Sequence, residues 1–89
     1  MSASEGGAPP AELEQAVLDL LAARDEGKTI CPSEAARRVR PEGWREEMEP
    51  ARQAARRMAS EGRIEILQRG ETLDPEAEFR GPIRLRLRD

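Results

Sequence analysis

The chain has 89 residues, a formal net charge of −3 at pH 7, one cysteine, one tryptophan, and no histidine or tyrosine. This length fits one small domain, the single cysteine excludes an internal disulfide or a multi-cysteine metal site, and no apolar run approaches the roughly 18 residues of a membrane span. We therefore expect a cytoplasmic protein that is not an enzyme and has no membrane segment, cofactor or bound metal.

The start of the chain differs in composition from the rest. Residues 1–10 contain no large apolar side chain after Met1, and we interpret them as a disordered tail. Residues 11–89 are predicted to form the folded domain. Charge is also uneven, because residues 1–30 carry a net charge of −4 and residues 31–89 carry +1. Any basic surface must therefore be local.

The first predicted helix covers Ala11 to Arg24. Its larger apolar residues recur at the spacing of one buried helix face, and they are Leu13, Val17, Leu20 and Leu21. Pro9 and Pro10 argue against an earlier start, and Gly27 is predicted to cap the C-terminal end.

The second predicted helix begins at Pro32 and runs to Val39 or Arg40. Proline suits the first helical position, and Glu34 stands where the third-position partner of a capping box is expected. Cys31, directly before the helix, is expected to be a small buried side chain. A redox role for Cys31 stays open, because a helix N-terminus lowers the pKa of a thiol.

The third predicted helix runs from Pro50 to Glu61 and ends before Gly62. A short helical turn, Trp44 to Met48, is expected to precede it, with Trp44 filling the corner between the second and third helices. One side of the third helix is small and apolar. The other side is polar and consists of Arg52, Gln53, Arg56, Arg57 and Ser60.

Two strands are predicted after this helix, Arg63–Leu67 and Ile83–Arg88. The second alternates strictly, which predicts an inward set and an outward set of side chains, namely Ile83, Leu85 and Leu87 against Arg84, Arg86 and Arg88. Lys28–Ile30 is a short extended stretch that would pair with the last strand. The long link Gln68–Pro82, with an irregular or short helical piece at Asp74-Pro75, would be a wing.

This order of elements is typical of a winged helix-turn-helix. We therefore predict an α+β fold with three helices and a small antiparallel sheet of two to three strands. Such domains usually bind nucleic acid through the third helix, but a fold alone does not establish a function.

The polar side of the third helix is the candidate DNA-reading face. Arginine bonds guanine and glutamine bonds adenine, so the residues predicted to enter the major groove are Arg52, Gln53, Arg56 and Arg57. Arg69 and Arg80, near the ends of the wing, are predicted to contact the phosphate backbone. The alternative is a solvated helix face whose arginines only aid solubility.

Carboxylates near this face argue against DNA, because they raise the cost of approaching phosphate. They stand before the third helix and in the wing, at Glu46, Glu47, Glu49, Glu71, Asp74, Glu76 and Glu78. These acids favour a protein partner. The outward arginines of the last strand are also open to two interpretations, phosphate contact or cross-strand pairing with Glu65 and its neighbours.

Several of these segments are similar to one known family. The run Lys28–Arg37 (KTICPSEAAR), the ending Arg80–Arg86 (RGPIRLR), Trp44 and the corner Glu61–Ile64 resemble a small bacterial family of uncharacterised proteins, domain of unknown function 3253. The resemblance covers roughly residues 13–88. It implies a small domain of helices and a wing, and it implies no activity, ligand or catalytic residue.

Two functions therefore stay open. The first hypothesis is a bacterial winged-helix domain that binds double-stranded DNA through its third helix. The alternative is a protein–protein interaction module with the same fold and no nucleic-acid binding. The chain is expected to be a monomer or a homodimer, and a dimer would form through the first helix.

Overall fold

The structure is a computed structural model that describes residues 9–24 and 28–88. Its elements in chain order are α1 (Pro10–Ala22), α2 (Pro32–Val39), a 3-10 turn (Trp44–Glu47), α3 (Met48–Ser60), β1 (Ile64–Gln68), β2 (Glu71–Leu73) and β3 (Arg84–Leu87). The strands form an antiparallel sheet in the order β2-β1-β3. This α+β arrangement is consistent with a winged-helix-like fold. The predicted tail up to residue 8 and the predicted cap at Gly27 lie outside the described residues.

The helix starts follow from proline and from a capping box. α1 begins at Pro10, one residue earlier than predicted, because proline at the first helical position lacks only an N–H that has no partner there. Pro32 occupies the same position in α2, as predicted. The carboxylate of Glu34 accepts a hydrogen bond of 3.0 Å from the backbone N–H of Cys31, which confirms the predicted capping box.

α3 begins two residues before the predicted start at Pro50. The 3-10 turn runs directly into the helix, so Pro50 lies in the first helical turn, where its missing N–H is tolerated. α3 ends at Ser60, one residue before the predicted end, and the predicted stop at Gly62 is confirmed, because Gly62 has a φ of +78° and the backbone N–H of Arg63 donates to the carbonyl of Met58 at 2.9 Å. This hydrogen bond and the positive φ are those of a glycine C-cap.

The sheet contains one strand that the sequence did not predict, β2. Arg69 and Gly70 form a two-residue turn with φ values of +55° and +84°, which suits a tight hairpin between β1 and β2. β2 has three residues, two of them exposed, so it carries no alternating apolar pattern. The predicted pairing of the first extended stretch is confirmed, because Ile30 and Leu85 exchange two backbone hydrogen bonds of 2.9 and 2.7 Å.

The core lies between the helices and the inner face of the sheet. Its buried members include Leu13 and Val17 of α1, Met58 of α3 and Leu85 of β3. The inward prediction was wrong for Leu87, which is 43% exposed. Leu87 belongs to the last residue pair of the β1–β3 register, so the core covers it less completely.

Residues 74–82, which we call the strap, lead from β2 on one side of β1 to β3 on the other. The strap contains no helix or strand, and a turn at its start is closed by a backbone hydrogen bond of 3.0 Å from Ala77 to Asp74. The carboxylate of Asp74 also accepts a bond from the backbone N–H of Glu76 at 2.8 Å. The irregular piece predicted at Asp74-Pro75 is therefore present.

Candidate nucleic-acid interface

The polar face of α3 has two stripes, one formed by Arg52, Arg56 and Ser60 and the other by Gln53 and Arg57. α3 buries its small residues and Met58 against the core, so the four predicted groove residues lie on its outer side. Gln53 and Arg57 are exposed, whereas Arg52 and Arg56 are half-buried. The difference arises because the strap lies along only one of the two stripes.

Arg56 holds the strap most firmly. Its Nη1 atom donates to the carbonyl of Pro75 at 2.8 Å and to the carbonyl of Ala77 at 2.7 Å. The guanidinium carbon lies 4.2 Å from the centre of the Phe79 ring. A cation on a carbonyl pair and on an aromatic face gains both charge-assisted hydrogen bonds and a cation–π contact.

Arg52 and Ser60, one helical turn on either side of Arg56, also contact the strap. Nη2 of Arg52 donates to the carbonyl of Gly81 at 3.2 Å. The hydroxyl of Ser60 donates to the carboxylate of Glu76 at 3.0 Å. The strap thus follows residues four apart on one helix face.

The exposed stripe of α3 contacts carboxylates of the helices. Gln53 donates to Glu49 at 2.7 Å, and Nε of Arg57 donates to Glu14 of α1 at 3.1 Å. Glu14 also accepts from Arg63 at 3.3 Å. Hydrogen bonding to Glu61 raises the pKa of Arg63; desolvation opposes this effect and a hydrogen bond to Glu14 adds to it.

The two predicted wing residues lie on a shared cleft with a volume of about 440 Å³. Arg69 in the β1–β2 turn and Arg80 in the strap line it, together with Arg84 at the start of β3. Among the residues that the structure describes, no carboxylate lines this cleft. The cleft therefore places arginines from three segments on one concave surface.

Backbone contacts hold the wall of this cleft. The amide of Gln68 donates to the carbonyl of Arg80 at 2.5 Å and to that of Pro82 at 3.2 Å. Arg84 donates to the hydroxyl of Thr29 at 3.0 Å and to the carbonyl of Thr29 at 3.3 Å. Hydrogen bonds thus hold the main chain of the cleft wall and the side chain of Arg84 in place.

Some of the carboxylates that make DNA binding less favourable form hydrogen bonds within the fold. Glu47 is fully buried, and its carboxylate accepts a hydrogen bond of 3.1 Å from Arg40. Glu49 and Glu76 accept from side chains of α3, as described above. The guanidinium of Arg40 offsets the charge of Glu47, whereas the neutral donors Gln53 and Ser60 leave the negative charges of Glu49 and Glu76 in place.

Three further side chains bear on the sequence predictions. Arg86 donates to Glu65 across the β1–β3 pair, which confirms cross-strand pairing for this residue. Trp44 packs against a core cluster at the α2–α3 corner, as predicted, with the guanidinium carbon of Arg37 4.2 Å from its ring centre. Cys31 is half-buried rather than buried, because it stands at the helix start, where the hydroxyl of Ser33 donates to its sulfur at 3.2 Å.

Phe79 and Gln68 have roles at this surface that the sequence did not reveal, and so does the bond of Arg84 to Thr29, although phosphate contact was one of the two interpretations left open for Arg84. Phe79 is the only phenylalanine of the chain. Its position in an acidic, otherwise polar segment was a signal that the segment packs against something. Gln68 and Arg84 gave no comparable signal, because their partners are backbone groups distant in sequence.

Residues 9–24 and 28–88 contain neither a cluster of metal-ligating side chains nor a helix suited to span a membrane. Within these residues no three His, Cys, Asp or Glu side chains are grouped closely enough to bind a metal ion. None of the helices described there combines the length and apolar character needed to cross a bilayer.

Comparison with known proteins bears on the family. The sequence matches the profile of a family described as "Protein of unknown function (DUF3253)" over residues 10–88. No curated protein shows a significant match to the chain. The match extends from the first residue of α1 to the end of the sheet, so the chain belongs to the DUF3253 family.

Proposed function

We propose that this protein binds double-stranded DNA, with the outer face of α3 at the major groove and the wing arginines at the phosphate backbone. The proposed contact residues are the six predicted from the sequence, Arg52, Gln53, Arg56, Arg57, Arg69 and Arg80. A helix that presents arginine and glutamine, next to a wing with an arginine near each end, is the arrangement that winged-helix proteins use on duplex DNA.

One observation carries the proposal. Arg52 of α3 donates to the carbonyl of Gly81, which follows Arg80 in the strap. The arginines of α3 and those of the cleft therefore belong to one continuous surface. A duplex lying on that surface would meet base-reading and phosphate-binding side chains together.

The four α3 residues proposed to enter the major groove differ in their contacts with the strap. Arg56 uses Nη1 for two strap carbonyls, and Arg52 uses Nη2 for one. Each guanidinium has five N–H donors, so further donors remain on both. Gln53 and Arg57 are exposed, so we assign base reading mainly to these two residues.

The test is fluorescence anisotropy of a labelled mixed-sequence duplex at low salt. The double variant Gln53→Ala/Arg57→Ala removes the exposed stripe and should weaken binding by about tenfold or more, since a good base contact contributes roughly 1–3 kcal/mol. The control is Arg88→Ala, an exposed arginine beyond the end of β3. It removes one positive charge outside the proposed surface and should change affinity little.

Two results would remove the proposal. The first is the absence of duplex binding by the wild-type chain at low salt. The second is a double variant that binds as tightly as Arg88→Ala, which would mean that α3 does not face the DNA.

A protein-binding function is the second candidate, and the strap favours it. The strap is held on α3 by Arg52 and Arg56, and it adds the acidic side chains Asp74, Glu76 and Glu78 to this face. A mixed-charge surface of this kind suits a protein partner better than phosphate. A stoichiometric partner that survives nuclease and high salt would support it. In either case we propose a binding role rather than catalysis, since the chain has no histidine or tyrosine.

A further inference from the structure

We propose that the cleft between the β1–β2 turn and the strap is a phosphate-binding site formed by Arg69, Arg80 and Arg84. This proposal adds Arg84 to the six residues proposed to bind DNA, and it specifies a phosphate group as the ligand of the cleft. For a phosphate of DNA the inference rests on the proposed function. For a free phosphorylated molecule it stands alone.

The charge of the cleft is the first argument. Three arginines line about 440 Å³ of space, and among the residues that the structure describes no carboxylate lines it. Within the described residues, the side chains of Arg69 and Arg80 form no ion pair with a carboxylate, in contrast to Arg57 and Arg86. Like charges on one concave wall repel each other, and a bound anion removes that repulsion.

The rigidity of the wall is the second argument. Gln68 bonds the carbonyls on both sides of Gly81, and Arg52 bonds the carbonyl of Gly81 itself. Gly81 has a φ of +86°, which a residue with a side chain adopts only with strain. A wall held in advance loses little conformational entropy when a ligand binds.

Arg84 supplies a positioned donor group. Its Nε and Nη2 atoms are tethered to Thr29, which leaves three of its five N–H donors for a ligand. A guanidinium fork matches the spacing of two phosphate oxygens and forms strong charge-assisted bonds with them. The chemistry of the site therefore fits a phosphate group.

The basic surface continues beyond the cleft. Arg84 also lines a second, more open depression of about 490 Å³ together with Lys28 and Arg24. Arg24 is paired with Glu34, so Lys28 and Arg84 are the cations that we assign to a ligand there. A ligand with more than one phosphate group fits this arrangement, because Arg84 lines both basic depressions.

The experiment is a nuclear magnetic resonance titration of the full chain labelled with ¹⁵N. Inorganic phosphate is added at constant ionic strength, with chloride as the balancing anion. The expected result is a saturable shift of the Arg69, Arg80 and Arg84 side-chain signals, with little shift at Arg88. A second titration uses a short mixed-sequence duplex and is expected to move the same signals.

The variants are chosen to remove charge without strain. Arg69 has a φ of +55°, so it is replaced by asparagine, which tolerates that conformation. Arg69→Asn and Arg80→Ala should each weaken phosphate binding by about tenfold, the usual effect of losing a hydrogen bond to a charged group. Arg88→Ala removes the same charge just beyond the far end of β3 from Arg84 and should leave binding unchanged.

The outcomes separate the two sources of phosphate. Shifts by both ligands support the site as a contact for the DNA backbone. Shifts by phosphate without any duplex binding support a site for a free phosphorylated molecule and contradict the proposed function. Shifts that do not saturate, or cleft variants that behave like Arg88→Ala, overturn the phosphate site, and duplex binding by α3 is then judged by its own variants.

Discussion

The guanidinium group of Arg56 lies on the ring of Phe79, with its carbon 4.2 Å from the ring centre, while the same group donates to two carbonyls of the strap. α3 and the strap are thereby joined through one arginine and one aromatic side chain. A residue predicted to read DNA thus also holds the wing against the helix.

Replacing Arg56 with alanine should lower the free energy of unfolding by about 1–3 kcal/mol. The variant loses hydrogen bonds from a charged donor and a cation–π contact. Arg57→Ala is the matched control, because Arg57 is exposed and makes one surface ion pair, which contributes about 0–1 kcal/mol. Urea denaturation followed by the fluorescence of the single tryptophan measures both. Equal losses would mean that Arg56 does not hold the strap.

Replacing Phe79 with alanine should loosen the strap more than the sheet. Phe79 packs against the core cluster and beneath two arginines. Amide hydrogen exchange should therefore speed up at Ala77, whose N–H is bonded within the strap, and change little at Leu85 in the sheet. A uniform increase at both amides would show that the strap does not open separately.

The helices could be predicted from the sequence because their signals are local. Pro32 and Glu34 mark the start of α2 within three residues, and the glycine after α3 marks its end. β2 could not be predicted in this way. Its three residues are largely exposed, and its pairing depends on a turn in which Arg69 adopts a positive φ. Arginine in that conformation is uncommon and gives no turn signal.

The candidate surface was predictable only in part, for a related reason. The spacing of Arg52 and Arg56 correctly placed them outside the core, but it could not show that the strap lies over them. Their partners are main-chain carbonyls 19 to 29 residues away. A carbonyl has the same chemistry in every residue type, so no side-chain pattern marks it. Glu47 shows the opposite error. This acid was expected at the surface, but it is fully buried and bonded to Arg40.

Arg40→Ala should destabilise the protein by roughly 2–3 kcal/mol. The change removes a partner of the fully buried Glu47 carboxylate, and breaking a buried pair costs about 3–5 kcal/mol. We expect less because the side chain of Arg40 is 35% exposed. The control is Arg38→Ala, since Arg38 is exposed in α2, two residues before Arg40, and its replacement should cost less than about 0.5 kcal/mol. Thermal unfolding compares the two, and a similar shift in both would contradict this role of the pair.

Glu14→Gln should strengthen duplex binding by up to about fivefold with little loss of stability. The change removes a negative charge bonded to Arg57, and exposed ion pairs contribute up to about 1 kcal/mol. Glu12→Gln is the matched control, because Glu12 is exposed on α1 and belongs to no ion pair with Arg57. Anisotropy with the same duplex measures both. Equal gains would indicate a general effect of net charge rather than of Arg57.

The dependence of duplex binding on salt tests the central claim most directly. If Arg69, Arg80 and Arg84 each neutralise one phosphate, the logarithm of the association constant should fall with the logarithm of salt concentration at a slope of about −2.7. The measurement is anisotropy between about 50 and 200 mM salt, with the triple variant Arg69→Asn/Arg80→Ala/Arg84→Ala alongside the wild type. The account predicts a steep slope for the wild type and a nearly flat one for the variant. No binding by the wild type at the lowest salt, or equal slopes for the two proteins, would contradict it.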